Sequence, residues 1–113
     1  MIGTTTLELP RRPGCAGIAR MVVTAHGNGL SPERLRNAVL MVSEIVTNAF
    51  EHGQGQICLT VDSGEDGLRA QVDDEGSIDG TESRGFGLRF VRKLADDWGL
   101  EPSHARVWFR VAA

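Results

Sequence analysis

The sequence has little of what zinc-binding and disulfide-rich proteins use. It contains two cysteines in 113 residues, Cys15 and Cys58, and three scattered histidines. No CxxC pair and no Cys/His cluster with the spacing of zinc ligands is present. The sequence therefore predicts neither a zinc site nor a structural disulfide.

The sequence also shows no strong charge bias, no long apolar run and no signal-peptide pattern. Twelve basic and 15 acidic residues give a net charge of −3 without a run of like charge, which argues against nucleic acid or a membrane surface as the partner. Every apolar run is far shorter than the ~18 residues that a membrane helix needs. Residues 1–10 do not have the basic and apolar segments of a signal peptide. We therefore expect a cytoplasmic protein that contacts neither a membrane nor nucleic acid directly.

The composition and the periodicity of apolar residues predict one α+β domain over 1–113. Apolar residues make up 41% and charged residues 24%, as in ordinary globular domains. The predicted elements are a strand over 4–9, helices over 15–26 and 32–52, strands over 56–62 and 68–72, a helix over 85–97, and strands over 98–101 and 106–111. This order predicts a two-layer sandwich, in which helices cover one face of a mixed or antiparallel sheet.

Two polar residues, Glu44 and Asn48, lie four positions apart in the apolar-rich second predicted helix. This spacing places them on one helix face, together with Met41, Glu51 and His52. An Asn oxygen is a suitable ligand for Mg²⁺, which also binds waters and phosphate oxygens. A nearby Glu can orient or deprotonate an attacking hydroxyl group. The alternative is an ordinary solvated polar face.

Two glycine-containing segments follow the central strands. Asp74 follows the end of a predicted strand and precedes Glu75-Gly76. Its carboxylate either accepts a hydrogen bond from the amino group of a base or simply shapes a turn. Gly85-Phe86-Gly87-Leu88 opens a helix, where backbone N–H groups either approach phosphate or form a cap. The segment is not a dinucleotide-binding fingerprint, and the sequence contains no P-loop.

These three signals occur in one order and together resemble the GHKL ATPases. More narrowly, they resemble the anti-sigma-factor serine kinases and their short actinobacterial relatives. Residues 42–53 resemble the N box, residues 74–76 the first glycine box and residues 85–88 the second. The resemblance covers nearly the whole chain, and the N-box stretch is its specific part.

The resemblance implies a Bergerat fold with ATP held between the helices and a mobile lid. Asn48 would ligate Mg²⁺, Glu44 would be the general base toward a serine hydroxyl group, and Asp74 would bind the adenine amino group. Arg84 would reach the γ-phosphate, or be simply solvated. The predicted ATP-binding residues are Asn48, His52, Asp74, Gly76, Arg84, Gly85, Gly87 and Leu88.

The sequence also departs from the family pattern at three places. Ile78 stands where the first glycine box usually has a second Gly, and the segment from Ser77 to Arg84 is short for a lid. Family members often have a Thr near the adenine on a late strand, and the last predicted strand, around Arg106, has none there.

The resemblance implies a serine/threonine protein kinase that phosphorylates a small anti-anti-sigma (STAS-type) partner and otherwise binds a sigma factor, within a homodimer. The short lid and the missing glycine favour a second hypothesis, a non-catalytic or degenerate module that sequesters a partner. A histidine-kinase catalytic domain is a third, which the absence of a preceding phospho-acceptor helix disfavours. A structural protein without a ligand is the fourth.

Overall fold

A five-stranded antiparallel sheet with helices packed against it forms the described part of the chain. The computed structural model describes residues 3–76 and 88–113. Its elements are β1 (Gly3–Leu9), α1 (Cys15–His26), α2 (Pro32–His52), β2 (Ile57–Gly64), β3 (Gly67–Asp74), α3 (Arg89–Leu94), β4 (Asp97–Glu101) and β5 (Arg106–Ala112), with short 3-10 turns at Gly27–Gly29 and Pro102–His104. The strand order is β1-β2-β3-β5-β4. The predicted α+β sandwich is confirmed, and the sheet is antiparallel throughout.

The central hairpin of β2 and β3 follows the predicted alternation. Its inward side chains, including Leu59 and Val72, are almost fully buried, whereas the side chains between them are partly exposed. Gly67, at the start of β3, has φ +133°, a conformation that favours glycine. The resulting register pairs Ile57 with Asp74, so Asp74 points to the helix layer and Asp73 to the open face.

The long helix α2 begins and ends where the sequence predicts. The Ser31 hydroxyl accepts the Arg34 N–H at 3.2 Å, and Pro32 occupies the first helical position. Gly53 follows the last residue. Met41, which the spacing places on the same helix face as Glu44 and Asn48, is fully buried in the core, because the stripe of α2 that packs on the other elements is broader than the aliphatic pattern alone indicated.

The third helix is shorter than predicted. Residues 85–87 lie outside the described residues, and α3 ends at Leu94 rather than 97. Ala95 has extended backbone angles, and the Asp96 N–H donates to the Arg110 carbonyl at 2.9 Å. Pairing with β5 therefore takes these residues out of the helix.

One apolar core joins the two layers, and its largest buried side chain is that of Phe109. Cys15 and Cys58 are both free thiols, as the sequence predicts. No helix in the described ranges is long and apolar enough to cross a membrane.

Candidate functional site

One face of α2 presents Glu44, Asn48 and His52 at successive turns. Asn48 is only 7% exposed, Glu44 is partly buried, and His52 at the end of the helix is exposed. The His52 ring lies 3.9 Å from the Glu51 carboxylate. The face therefore runs from a sheltered polar group into solvent.

The carboxylate of Glu44 binds the first turn of α3. Its Oε1 accepts the Val91 N–H at 2.9 Å, and its Oε2 accepts the Phe90 N–H at 3.1 Å. The first N–H groups of a helix have no partner within that helix, and a negative charge at this end is favourable. Glu44 thus joins α2 to α3, a contact that the sequence analysis did not predict.

Asp74 is held at the opposite end of this face, beside the C-terminus of α2. It is 8% exposed, and its Oδ1 accepts the N–H groups of Gln54 at 3.3 Å and Gly76 at 2.7 Å. The neighbouring Asp73 points the other way and accepts the Arg106 Nε–H at 2.6 Å. The register of β3 therefore selects Asp74 as the carboxylate that faces the helices.

Backbone contacts join the loop after α2 to the loop after β3. The Glu75 N–H donates to the Gln54 carbonyl at 2.8 Å, and the Asp74 N–H donates to the Ala105 carbonyl at 3.4 Å. Gly55 and Ala105 both have positive φ, +66° and +47°. Both loops are thereby held around the Asp74 carboxylate.

Arg11 stabilises the end of α2, a role that the sequence analysis missed. Its guanidinium donates to the carbonyls of Ala49 at 3.2 Å, Phe50 at 2.8 Å and Gly55 at 2.7 Å. The last carbonyls of a helix lack internal partners, and a cation there is favourable. A lone Arg in a turn gives no sequence signal for this contact.

The structure brings several of the predicted site residues together. Asn48 and Asp74 lie toward the C-terminal end of α2, and the N–H of Gly76 donates to the Asp74 carboxylate. Leu88 has a fully buried side chain in the core, so only its backbone is at the start of α3. Arg84, Gly85 and Gly87 lie outside the described residues, as does the Ile78 departure.

The chemistry of these groups fits a magnesium–nucleotide substrate. Within residues 3–76 and 88–113, no cluster of three His, Cys, Asp or Glu side chains could hold a metal ion alone. Mg²⁺ that takes one Asn oxygen needs its other ligands from phosphate and water. The Asp74 carboxylate is a sheltered acceptor, as recognition of an amino group requires.

Comparison with known proteins agrees with this arrangement. The chain matches the family model of the histidine kinase-like ATPase domain over residues 9–111. The chain therefore belongs to the histidine kinase-like ATPase domain family, and the predicted GHKL resemblance is confirmed. Membership in this family implies ATP binding.

The fold is similar to that in the crystal structure of the RsbU and RsbW domains of Rv1364c from Mycobacterium tuberculosis. The TM-score is 0.68 at 19% identity, and the match covers 97% of this chain and 31% of that chain. At this identity the similarity concerns the fold. A search of curated proteins gave no match.

Proposed function

We propose that this chain is a serine/threonine protein kinase of the anti-sigma-factor type. It would bind magnesium-ATP and phosphorylate a small anti-anti-sigma (STAS-type) protein. It would bind a sigma factor when that protein is absent or already phosphorylated. The observation that carries the proposal is the placement of Glu44 and Asn48 on one face of α2, with Asp74 fixed beside the end of that helix.

Each of these residues has a distinct role in the proposed reaction. Asp74 accepts the adenine amino group, because two backbone N–H groups already fix the orientation of its carboxylate. Asn48 offers its amide oxygen to Mg²⁺, which neutralises charge on the phosphate oxygens. Glu44 acts as the base. A carboxylate has about four lone-pair sites, so its two bonds to α3 leave others for a proton.

The transfer step balances without a further reactant. The serine or threonine oxygen forms a bond to the γ-phosphorus, and the bond to the oxygen between the β- and γ-phosphorus atoms breaks. The hydroxyl proton passes to the Glu44 carboxylate, and ADP leaves with the electron pair of the broken bond. Positioning and electrostatic stabilisation supply most of the catalysis in such transfers.

The regulatory consequence follows from the charge on the product. A phosphoserine adds about −1.5 to −2 charges to the surface of the anti-anti-sigma protein, which disrupts an interface packed against acidic side chains. The structural similarity to a chain that contains RsbU and RsbW domains supports a partner-switching role. A cytoplasmic location and a homodimer are part of this proposal.

Two departures in the sequence favour a second function. Ile78 stands where the family usually has a glycine, and the sequence between Gly76 and Gly85 is short for a lid. Lid closure excludes water and completes phosphate-binding sites. A chain that covers the phosphates poorly would act as a partner-sequestering module, with or without ATP.

Calorimetric titration with ATP, with and without Mg²⁺, tests the site. We expect binding that requires Mg²⁺. Transfer is then measured from radiolabelled ATP to purified anti-anti-sigma proteins from the same genome, with Ser→Ala and Thr→Ala acceptors as controls. Label on the wild-type acceptor alone supports the kinase. Magnesium-dependent binding without label on any acceptor favours the sequestering module, and no binding at millimolar ATP contradicts the nucleotide site.

A further inference from the structure

The start of α3 depends on a side chain from another helix. The residue that precedes α3 is Leu88, whose apolar side chain cannot accept a hydrogen bond. The N–H groups of Phe90 and Val91 instead donate to Glu44, which is 46 and 47 residues earlier in the sequence. The capping group of α3 is therefore a residue of the proposed site.

The helix that Glu44 caps is short. It has six residues, from Arg89 to Leu94, and helices of this length do not persist in water without tertiary contacts. Its anchors to the core are Leu88 and Val91, both fully buried. The Glu44 carboxylate also fixes the orientation of α3 on the core, since each of its oxygens accepts a different backbone N–H.

The same carboxylate stands one helical turn from Asn48. Residues four apart on a helix are neighbours on its surface, so the first turn of α3 lies beside the Asn48 face of α2. A shift of α3 would therefore change the surface beside Asn48. We propose that Glu44 is a positioning residue for α3, and that affinity for ATP depends on it before any phosphate is transferred. The nucleotide part of this inference rests on the proposed function.

Two substitutions at this position separate positioning from proton transfer. Glu44→Gln keeps one oxygen that accepts an N–H, so it retains one of the two bonds to α3, but it cannot take the proton of a hydroxyl group. Glu44→Ala removes both properties. Loss of a helix cap typically changes an equilibrium by about tenfold. We therefore expect ATP affinity to fall about tenfold in Glu44→Ala and to stay within about threefold of wild type in Glu44→Gln, while both lose phosphate transfer.

The matched control is Glu33→Ala, which removes an exposed carboxylate from the first turn of the same helix. It should leave the ATP affinity unchanged. If Glu44 acted only as a base, both Glu44 variants would bind ATP as tightly as the wild type. That result, measured by calorimetry, overturns the proposal.

A measurement without nucleotide tests the contact itself. In 15N–1H NMR spectra of the full chain, the amides of Phe90 and Val91 should exchange slowly with solvent, because both donate to the Glu44 carboxylate. Glu44→Ala should speed hydrogen exchange at both amides. Unchanged exchange at both amides in this variant would contradict the contact. If the wild type does not bind ATP, the proposed function fails, and this experiment still decides whether Glu44 positions α3.

Discussion

The backbone of Gly53 lies directly against the carboxylate of Asp74. A Cβ atom on Gly53 would overlap Oδ2 of Asp74 and come within 2.5 Å of the Ala49 carbonyl oxygen. The φ angle of Gly53 is −90°, which other residues also adopt. Glycine is therefore needed here for space, because the end of α2 and the end of β3 meet at this point.

Gly53→Ala should displace the Asp74 carboxylate and weaken ATP binding. The methyl group has to move either a buried carboxylate or the backbone of α2, and overpacking of this kind typically costs about 1–3 kcal/mol. Urea unfolding and calorimetry should show a loss of both stability and affinity. Gly64→Ala is the control, since a Cβ there meets nothing within 4 Å. Equal effects of the two substitutions would contradict the role of the Gly53–Asp74 contact.

Asp74→Asn should lower ATP affinity by about tenfold or more, the usual effect of losing a charged acceptor from a buried hydrogen bond. It should also reduce the preference for ATP over GTP. The carboxylate can only accept hydrogen bonds, whereas the amide also donates to the guanine carbonyl that replaces the adenine amino group. Competition titrations with both nucleotides measure the preference.

Asp73→Asn is the matched control for Asp74→Asn. Its side chain lies on the open face of the sheet and pairs with Arg106. The substitution should change stability slightly and leave the nucleotide preference intact. If Asp73→Asn lost the preference for ATP over GTP, Asp74 would not be the carboxylate that recognises the base.

Asn48→Ala should weaken binding of magnesium-ATP while leaving magnesium-free ATP less affected. The amide oxygen is the proposed protein ligand of Mg²⁺, and loss of one ligand from a metal site typically costs about tenfold in affinity or more. Calorimetry with and without Mg²⁺ separates the two effects. Thr47→Ala, at an exposed position beside Asn48, is the control. Equal affinity of Asn48→Ala and wild type in Mg²⁺ would rule out the metal role.

Arg11→Ala should destabilise the fold by about 1–2 kcal/mol, because three carbonyl groups lose a charged donor. The effect is at the lower end of this range, since the guanidinium contacts are largely at the surface. Arg12→Ala is the control: Arg12 is exposed, and among the described residues only its backbone makes hydrogen bonds. Urea unfolding midpoints compare the two. Indistinguishable midpoints would show that the cap on α2 contributes nothing.

The contribution of Asp96 to stability should depend on pH. Its pKa is lowered, chiefly because the Ala112 N–H donates to the carboxylate at 2.7 Å, and the Arg34 guanidinium at 3.1 Å acts in the same direction against a partial burial that raises it. A carboxyl group whose pKa is lower in the folded chain stabilises that chain above its ordinary pKa. The stabilisation is lost as the pH falls through the lowered value.

Asp96→Asn should therefore reduce the free energy of unfolding by about 0.5–1 kcal/mol at neutral pH, the range of exposed ion pairs and single hydrogen bonds. The difference from wild type should vanish at acid pH. Asp97→Asn is the control, because Asp97 accepts only a local bond from Trp98 among the contacts described. A constant difference between Asp96→Asn and wild type across the acid range would contradict the assignment.

The sequence correctly predicted the helices and strands whose apolar residues recur at a regular spacing. The alternation in β2 and β3 and the apolar stripes of α1 and α2 place those elements almost at their observed bounds. The end of α3 was misplaced because Leu94 and Ala95 continue the helical period in sequence. The Asp96 N–H, however, bonds to β5, and such a contact between distant segments leaves no trace in a local pattern.

The site was predicted at the level of residue types rather than contacts. The spacing of Glu44 and Asn48 correctly placed both on one helix face. The bonds of Glu44 to α3 and the contacts of Arg11 with the end of α2 depend on how separate elements pack. A single sequence contains no period or motif that reports them.

The register of β3 determines where this chain can tolerate a change in length. Asp73 and Asp74 lie on opposite faces of the sheet, so the insertion of one residue within β3 would exchange them. The site would then receive the carboxylate that now pairs with Arg106, and the helix layer would receive charges from the open face. An extra residue between Glu65 and Asp66 would lengthen only the hairpin turn at the far end of the strand. Natural variation in length is therefore expected at this turn and not in the strand that leads from it to Asp74.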